Sequence, residues 1–155
     1  MNTYDFPHRG RAQTARMMYS LAENFAGDLG QMGKMPFISY WNRVRAIPYI
    51  SDDQLFKDPT RELLGRPAAL FGLLENGRIP GLDCKKKAIL LGSWAEYNKV
   101  PWRLVGMSEK PDQEIHHVFP LVFDGRAWVN ADATYPTYKL GAAKPEMTYA
   151  EIFAR

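Results

Sequence analysis

The chain has one cysteine and three histidines, and it lacks any long apolar run; each shortage removes a class of explanation. A lone cysteine cannot close an internal disulfide, so no oxidising compartment is required. One Cys and three His without paired ligand spacing fit no zinc pattern, and neither a metal nor any other cofactor is expected. The opening MNTYDFPHRGRAQTAR has no apolar stretch of the secretory-signal kind. No window approaches the roughly 20 apolar residues of a membrane span, so no membrane partner is expected. Net charge is only +3, with basic residues dispersed, which gives no footprint for nucleic acid. Repeats, low-complexity tracts and dividing linkers are absent. These points predict one soluble domain over residues 1–155, with a core near 58–140 and a helical part near 10–50. They place it in the cytoplasm or packaged in a particle.

What is present is an ordinary globular composition, 46% apolar and 24% charged, in a chain long enough to bury a continuous core. The stretch GLDCKKKAILLGSWAEYN, from Gly81 to Asn98, is the organising element. Ala88, Leu91, Trp94 and Ala95 recur at helical spacing, widened by Ile89 and Leu90. Asp83 is suited to cap this helix, setting Cys84 in its first turn, where exposed N–H groups and the helix dipole favour an anion. Lys85, Lys86 and Lys87 add positive charge, and both effects favour the nucleophilic thiolate. The bland alternative is a small buried hydrophobe at Cys84. The lysine run is read as a solvated first turn in preference to a binding patch.

Around this element the sequence predicts an extended arm over Met1–Arg9 and an amphipathic helix over Arg11–Phe25 ended by Gly27. A loop over Gly30–Lys34 leads to a helix over Pro36–Arg45. A polar connection SDDQLFKDP, an ambiguous Glu62–Gly65 and a short helix over Pro67–Glu75 complete the first half. Downstream, Trp102–Met107 reads as a strand, Ser108–Gln113 as a loop and Ile115–Phe123 as a longer strand. A two-residue Asp124-Gly125 turn then gives a return strand over Ala127–Ala131. Pro120 is expected at an edge or bulge, and Pro145–Ala154 as a terminal helix. Helices followed by an antiparallel sheet make an α+β layout. Trp41, Trp94, Trp102 and Trp128 are read mainly as core.

The hairpin carries His117 near its start and Asp132 just past its end, so its topology brings an imidazole and a carboxylate together. If it packs on the central helix, His117 can face Cys84. The three then form a nucleophile, a base and an orienting acid. His116 is the competitor, because neighbouring strand residues point to opposite faces. His8 in the arm is read as solvated, and Asp112 and Glu114 as a loop face.

These landmarks carry a resemblance. GLDCKKKAILL, NKVPWRLVG and HHVFPLVFDGRAWVNADATYP, over Asp58–Pro136, resemble the transglutaminase-like superfamily of cysteine peptidases and acyl-transfer enzymes, particularly its small bacterial and bacteriophage members. The resemblance implies a Cys-bearing helix packed on an antiparallel sheet, related to papain-like proteases. It selects His117 over His116 and assigns Cys84 as nucleophile, His117 as base and Asp132 as orienting acid. It implies acyl transfer or hydrolysis of an amide through a Cys84 thioester, on a protein or peptide partner. The chain departs from the family pattern at Leu82, at Ala133 and at the lysines, where acidic residues are usual. A rival reading is a catalytically silent structural module, virion-associated or binding a host protein.

Overall fold

The computed structural model describes residues 3–7, 11–58, 60–110, 115–142 and 149–155, with the side chains of 4–7 and 11 excepted. The order is β1 (Thr3–Pro7), α1 (Arg11–Phe25), a 3-10 helical segment (Ala26–Lys34), α2 (Phe37–Ala46), α3 (Asp52–Phe56), β2 (Arg61–Gly65) and α4 (Pro67–Glu75). It continues with α5 (Cys84–Tyr97), β3 (Trp102–Ser108), β4 (His117–Phe123), β5 (Trp128–Asn130) and β6 (Tyr149–Phe153). A four-stranded antiparallel sheet runs β5-β4-β3-β6, and β1 pairs with β2 in a separate two-stranded ladder. The architecture is α+β.

Helix α5 is the hub, packed against α1, α2, the 3-10 segment and β4. Every residue from Lys86 to Ala95 is buried, the mark of a helix enclosed on all sides. Gly92 is required where Trp102 lies on it, since a Cβ there would come within 2.4 Å of the indole. Helix α1 keeps its expected bounds. Its buried stripe is Thr14, Ala15, Met18, Tyr19, Leu21 and Ala22, with Met17 only half-buried. The Tyr19 hydroxyl donates to Phe153 O at 2.8 Å and accepts from Leu104 N at 2.7 Å, fastening α1 to β6 and β3.

Several expectations are corrected. Residues Thr3–Pro7 of the N-terminal arm form a regular strand, because β2 supplies ladder partners despite Pro7. Gly30–Lys34 is 3-10 helical, interrupted by Gly30 at φ 52°. The polar connection folds as α3, closed by a capping box between Ser51 and Gln54. Residues 149–153 form β6 where a terminal helix is expected: they alternate in burial and satisfy the free edge of β3. The β4–β5 connection is the four residues Asp124–Ala127, with the Asp124 carboxylate accepting from Arg126 N and Ala127 N. Pro120 lies in an interior strand. Its carbonyl accepts from Ala131 N, so its nitrogen points to the same side, just past the last β5 pair at Leu121 and Asn130, where no ladder donor is needed. Trp41, Trp94 and Trp102 are core, but Trp128 is 46% exposed. His8, Asp112, Glu114 and the start of the expected terminal helix lie outside the described residues.

Candidate active site

The approach to Cys84 is fixed before the helix begins. Leu82 N donates to Pro48 O and Ile50 N to Leu82 O, stitching residues 48–50 alongside. Gly81 permits this: a Cβ there would come within 2.1 Å of the Pro48 carbonyl oxygen. The Asp83 carboxylate then accepts from Lys86 N at 3.0 Å, so α5 starts at Cys84 as the capping signal indicates.

The hairpin delivers the other two groups. Ala131 N bonded to Pro120 O continues the β4–β5 register, which sets Asp132 diagonal to His117 on one face. His117 Nε2 and Asp132 Oδ2 are 2.6 Å apart, with the carboxylate 3% and the imidazole 11% exposed. The second oxygen of Asp132 is occupied by Thr134, through its N–H at 3.0 Å and its hydroxyl at 2.5 Å. Asn130 receives Asp132 N at 3.0 Å. The Cys84 side chain borders the same cavity as this ring. Burial works against the charged ring, but the Asp132 hydrogen bond, the Cys84 hydrogen bond and both charges outweigh it and raise His117 from 6.5 to about 9.

His117 keeps phase with Phe119, their rings 5.7 Å apart, whereas Val118 and Val122 join the core that holds α5. The encounter with Cys84 therefore occurs where β4 and α5 both begin, rather than across the helix-covered face of the sheet. Cys84 is 8% exposed, and with His117, His116, Tyr49, Lys85 and Glu62 it lines a cavity of about 340 Å³. Burial, then the charges of Cys84 and Asp83, raise the Tyr49 hydroxyl, so it stays a neutral phenol in that wall.

The lysines do not form a solvated turn. Lys86 is 1% exposed, with Nζ 2.6 Å from Asp52 and 3.2 Å from Asp83. Lys85 lies 3.0 Å from Asp83, 3.5 Å from Glu62 and 3.7 Å from Asp52. Three carboxylates thus answer two ammonium groups, and the positive charge expected beside the thiol is largely cancelled. Burial opposes it, yet Lys86 and Lys85 hold the Asp83 carboxyl well below the usual carboxylate range. Asp52 is shifted up, by burial first and then by Asp83.

The expected residues Cys84, His117 and Asp132 are thus brought together. Thr134, Asn130, Tyr49 and Lys87 complete the surroundings without having been singled out as members of the constellation. Thr134 and Asn130 had a signal, since side chains of these types beside an aspartate make short local hydrogen bonds. Among the described residues no group of three His, Cys, Asp or Glu is arranged to hold a metal, and no helix is long and apolar enough to cross a membrane.

A thiol on a helix terminus, an imidazole opening a strand and a carboxylate on the following loop make the arrangement of a thiol–imidazole–carboxylate site. Comparison of the chain with protein-family models, curated proteins and solved structures gave no match.

Proposed function

We propose that this chain is a cysteine-dependent acyl-transfer enzyme or hydrolase of transglutaminase-like, papain-related type, acting on an amide or peptide bond. The observation that carries the reading is the 2.6 Å contact of His117 Nε2 with the buried Asp132, on a ring that lines the same cavity as Cys84. With His117 raised to about 9, the imidazolium persists at neutral pH and can pair with a thiolate.

In the proposed cycle the Cys84 sulfur attacks the amide carbonyl carbon. The carbonyl electron pair moves onto oxygen, facing the N–H groups of the first turn of α5. As the carbonyl re-forms, the C–N bond breaks, and the His117 proton passes to the departing amine nitrogen. The resulting Cys84 thioester is then attacked by water, the favoured acceptor, or by an amine. Neutral His117 takes the acceptor's proton, the C–S bond breaks, and the thiolate–imidazolium pair is restored. Asp132 holds the ring and its charge throughout.

The test is labelling with iodoacetamide at about pH 6, where an ordinary thiol is almost wholly protonated, followed by trapping with an electrophilic glutamine-like peptide. Wild type is expected to react at least about tenfold faster than a free thiol. Cys84→Ala should lose all labelling while keeping its fold, and His117→Ala should lose the acceleration. A wild-type rate no faster than that of free cysteine would favour the silent-module reading.

A further inference from the structure

Lys87 is as buried as Lys86, but among the described residues it meets no carboxylate within ion-pair distance. Its Nζ instead sits among four backbone carbonyls: Ile47 O at 2.5 Å, Thr134 O at 2.8 Å, Ala133 O at 3.1 Å and Arg45 O at 3.4 Å. Two of these belong to the residues directly after Asp132. Thr134 passes the constraint on, since its N–H and hydroxyl hold Asp132 Oδ1 while Oδ2 faces His117. Lys87 lies one helical turn beyond Cys84 on α5, so the nucleophile and the ammonium share a rigid segment.

We propose that Lys87 is a positioning residue, an ammonium peg by which the Cys84 helix grips the Ala133–Thr134 backbone and so sets the Asp132 carboxylate against His117. This rests on the catalytic reading above. Carbonyl dipoles suit the role better than a carboxylate would: they hold a cation without adding a second negative charge that would compete with Asp132 for the imidazolium. The charge of Asp132 in turn favours the protonated Lys87, against the burial that pushes it down to about 8.

The test follows the His117 ring by NMR across pH in wild type, Asp132→Asn, Lys87→Met and the double variant, with iodoacetamide rates measured in parallel. Asp132→Asn should drop the His117 titration from about 9 towards its ordinary 6.5. Lys87→Met should lower it to about 8, taking the protonated fraction of His117 at about pH 8 from roughly nine-tenths to about one-half, with a slower alkylation. The double variant should titrate as Asp132→Asn alone, because the peg acts through that carboxylate. If Lys87→Met leaves His117 unchanged while Asp132→Asn lowers it, or if the two falls simply add, the peg is overturned and the catalytic reading stands. If Asp132→Asn itself moves neither the titration nor the alkylation, the catalytic reading fails, and the peg with it. Should Lys87→Met not fold, Lys87→Gln, which keeps two N–H donors, should show a smaller fall, and an unchanged titration there overturns the peg equally.

Discussion

Lys86 and Lys87 are consecutive, each 1% exposed, and neutralised in opposite ways. Lys86 turns towards α3 and β2, where it meets Asp52, itself bonded to Leu63 N, and Asp83. Lys87 turns towards the end of α2 and the loop after β5, where among the described residues it meets only backbone carbonyls. The first side answers charge with charge and leaves formal anions behind if the lysine is lost. The second answers charge with dipoles and leaves unsatisfied but neutral acceptors. One buried ammonium thus ties Asp52 to Asp83, and the other ties α5 to the backbone that follows Asp132. A run that composition presents as three equivalent lysines is two structural devices and a partly exposed neighbour.

The sharpest way to break this contrast is Lys86→Met. Removing one partner of a buried ion pair costs about 3–5 kcal/mol, and here Asp52 and Asp83 would be left to share Lys85. Urea denaturation should show the full loss. Lys86→Met with Asp52→Asn should recover a substantial part, because the uncompensated anion is then gone. A loss under about 1 kcal/mol, in the range of exposed pairs, would mean that the carboxylate side is not held by charge.

The pH dependence of stability separates the two sides next. The folded-state value of Lys87, about 8, lies below its unfolded 10.5. Its contribution to stability is therefore present above the unfolded value and lost as pH falls through about 8. His117, raised to about 9 from 6.5, has the opposite sign: its contribution is present below 6.5 and lost as pH rises through about 9. Between about pH 8 and 10.5, wild type should gain on Lys87→Met by on the order of 2–3 kcal/mol. Between about pH 6.5 and 9 it should lose its advantage over His117→Ala by a comparable amount. Chemical denaturation at stepped pH reads both slopes. Parallel curves for wild type and Lys87→Met would remove the distinction between the two lysines.

Local signals explain what could be read from the sequence. Asp83 before an apolar-periodic run marks the start of α5, Pro67 opens α4, and a strand–turn–strand pattern carries His117 and Asp132 towards each other. What stayed hidden depends on distant partners. Residues 149–153 become a strand because the β3 edge is free, and Lys86 and Lys87 are buried because Asp52, over 30 residues away, and the Thr134 loop, over 40 residues away, wait for them. Helical pattern reading assigns lysine to water and has no term for such partners. Helix α3 is a different case: its Ser51–Gln54 capping box is written in the sequence, but five residues offer too little periodicity to be noticed.

That capping box supplies the smallest test and ties it to the two lysines. Ser51 Oγ accepts from Gln54 N at 3.2 Å, and the Gln54 side chain returns a bond to Ser51 N at 3.1 Å, closing the helix that carries Asp52. Ser51→Ala should cost about 1 kcal/mol by loss of the cap. Combined with Lys87→Met, the two costs should add to within about 0.5 kcal/mol, since no partner is shared. Combined with Lys86→Met they should fall short of the sum, because α3 held by its cap matters less once the ion pair fastening Asp52 is gone. Additivity in both combinations would mean that α3 does not depend on Lys86, and the carboxylate side would then be a set of adjacent charges rather than one coupled device.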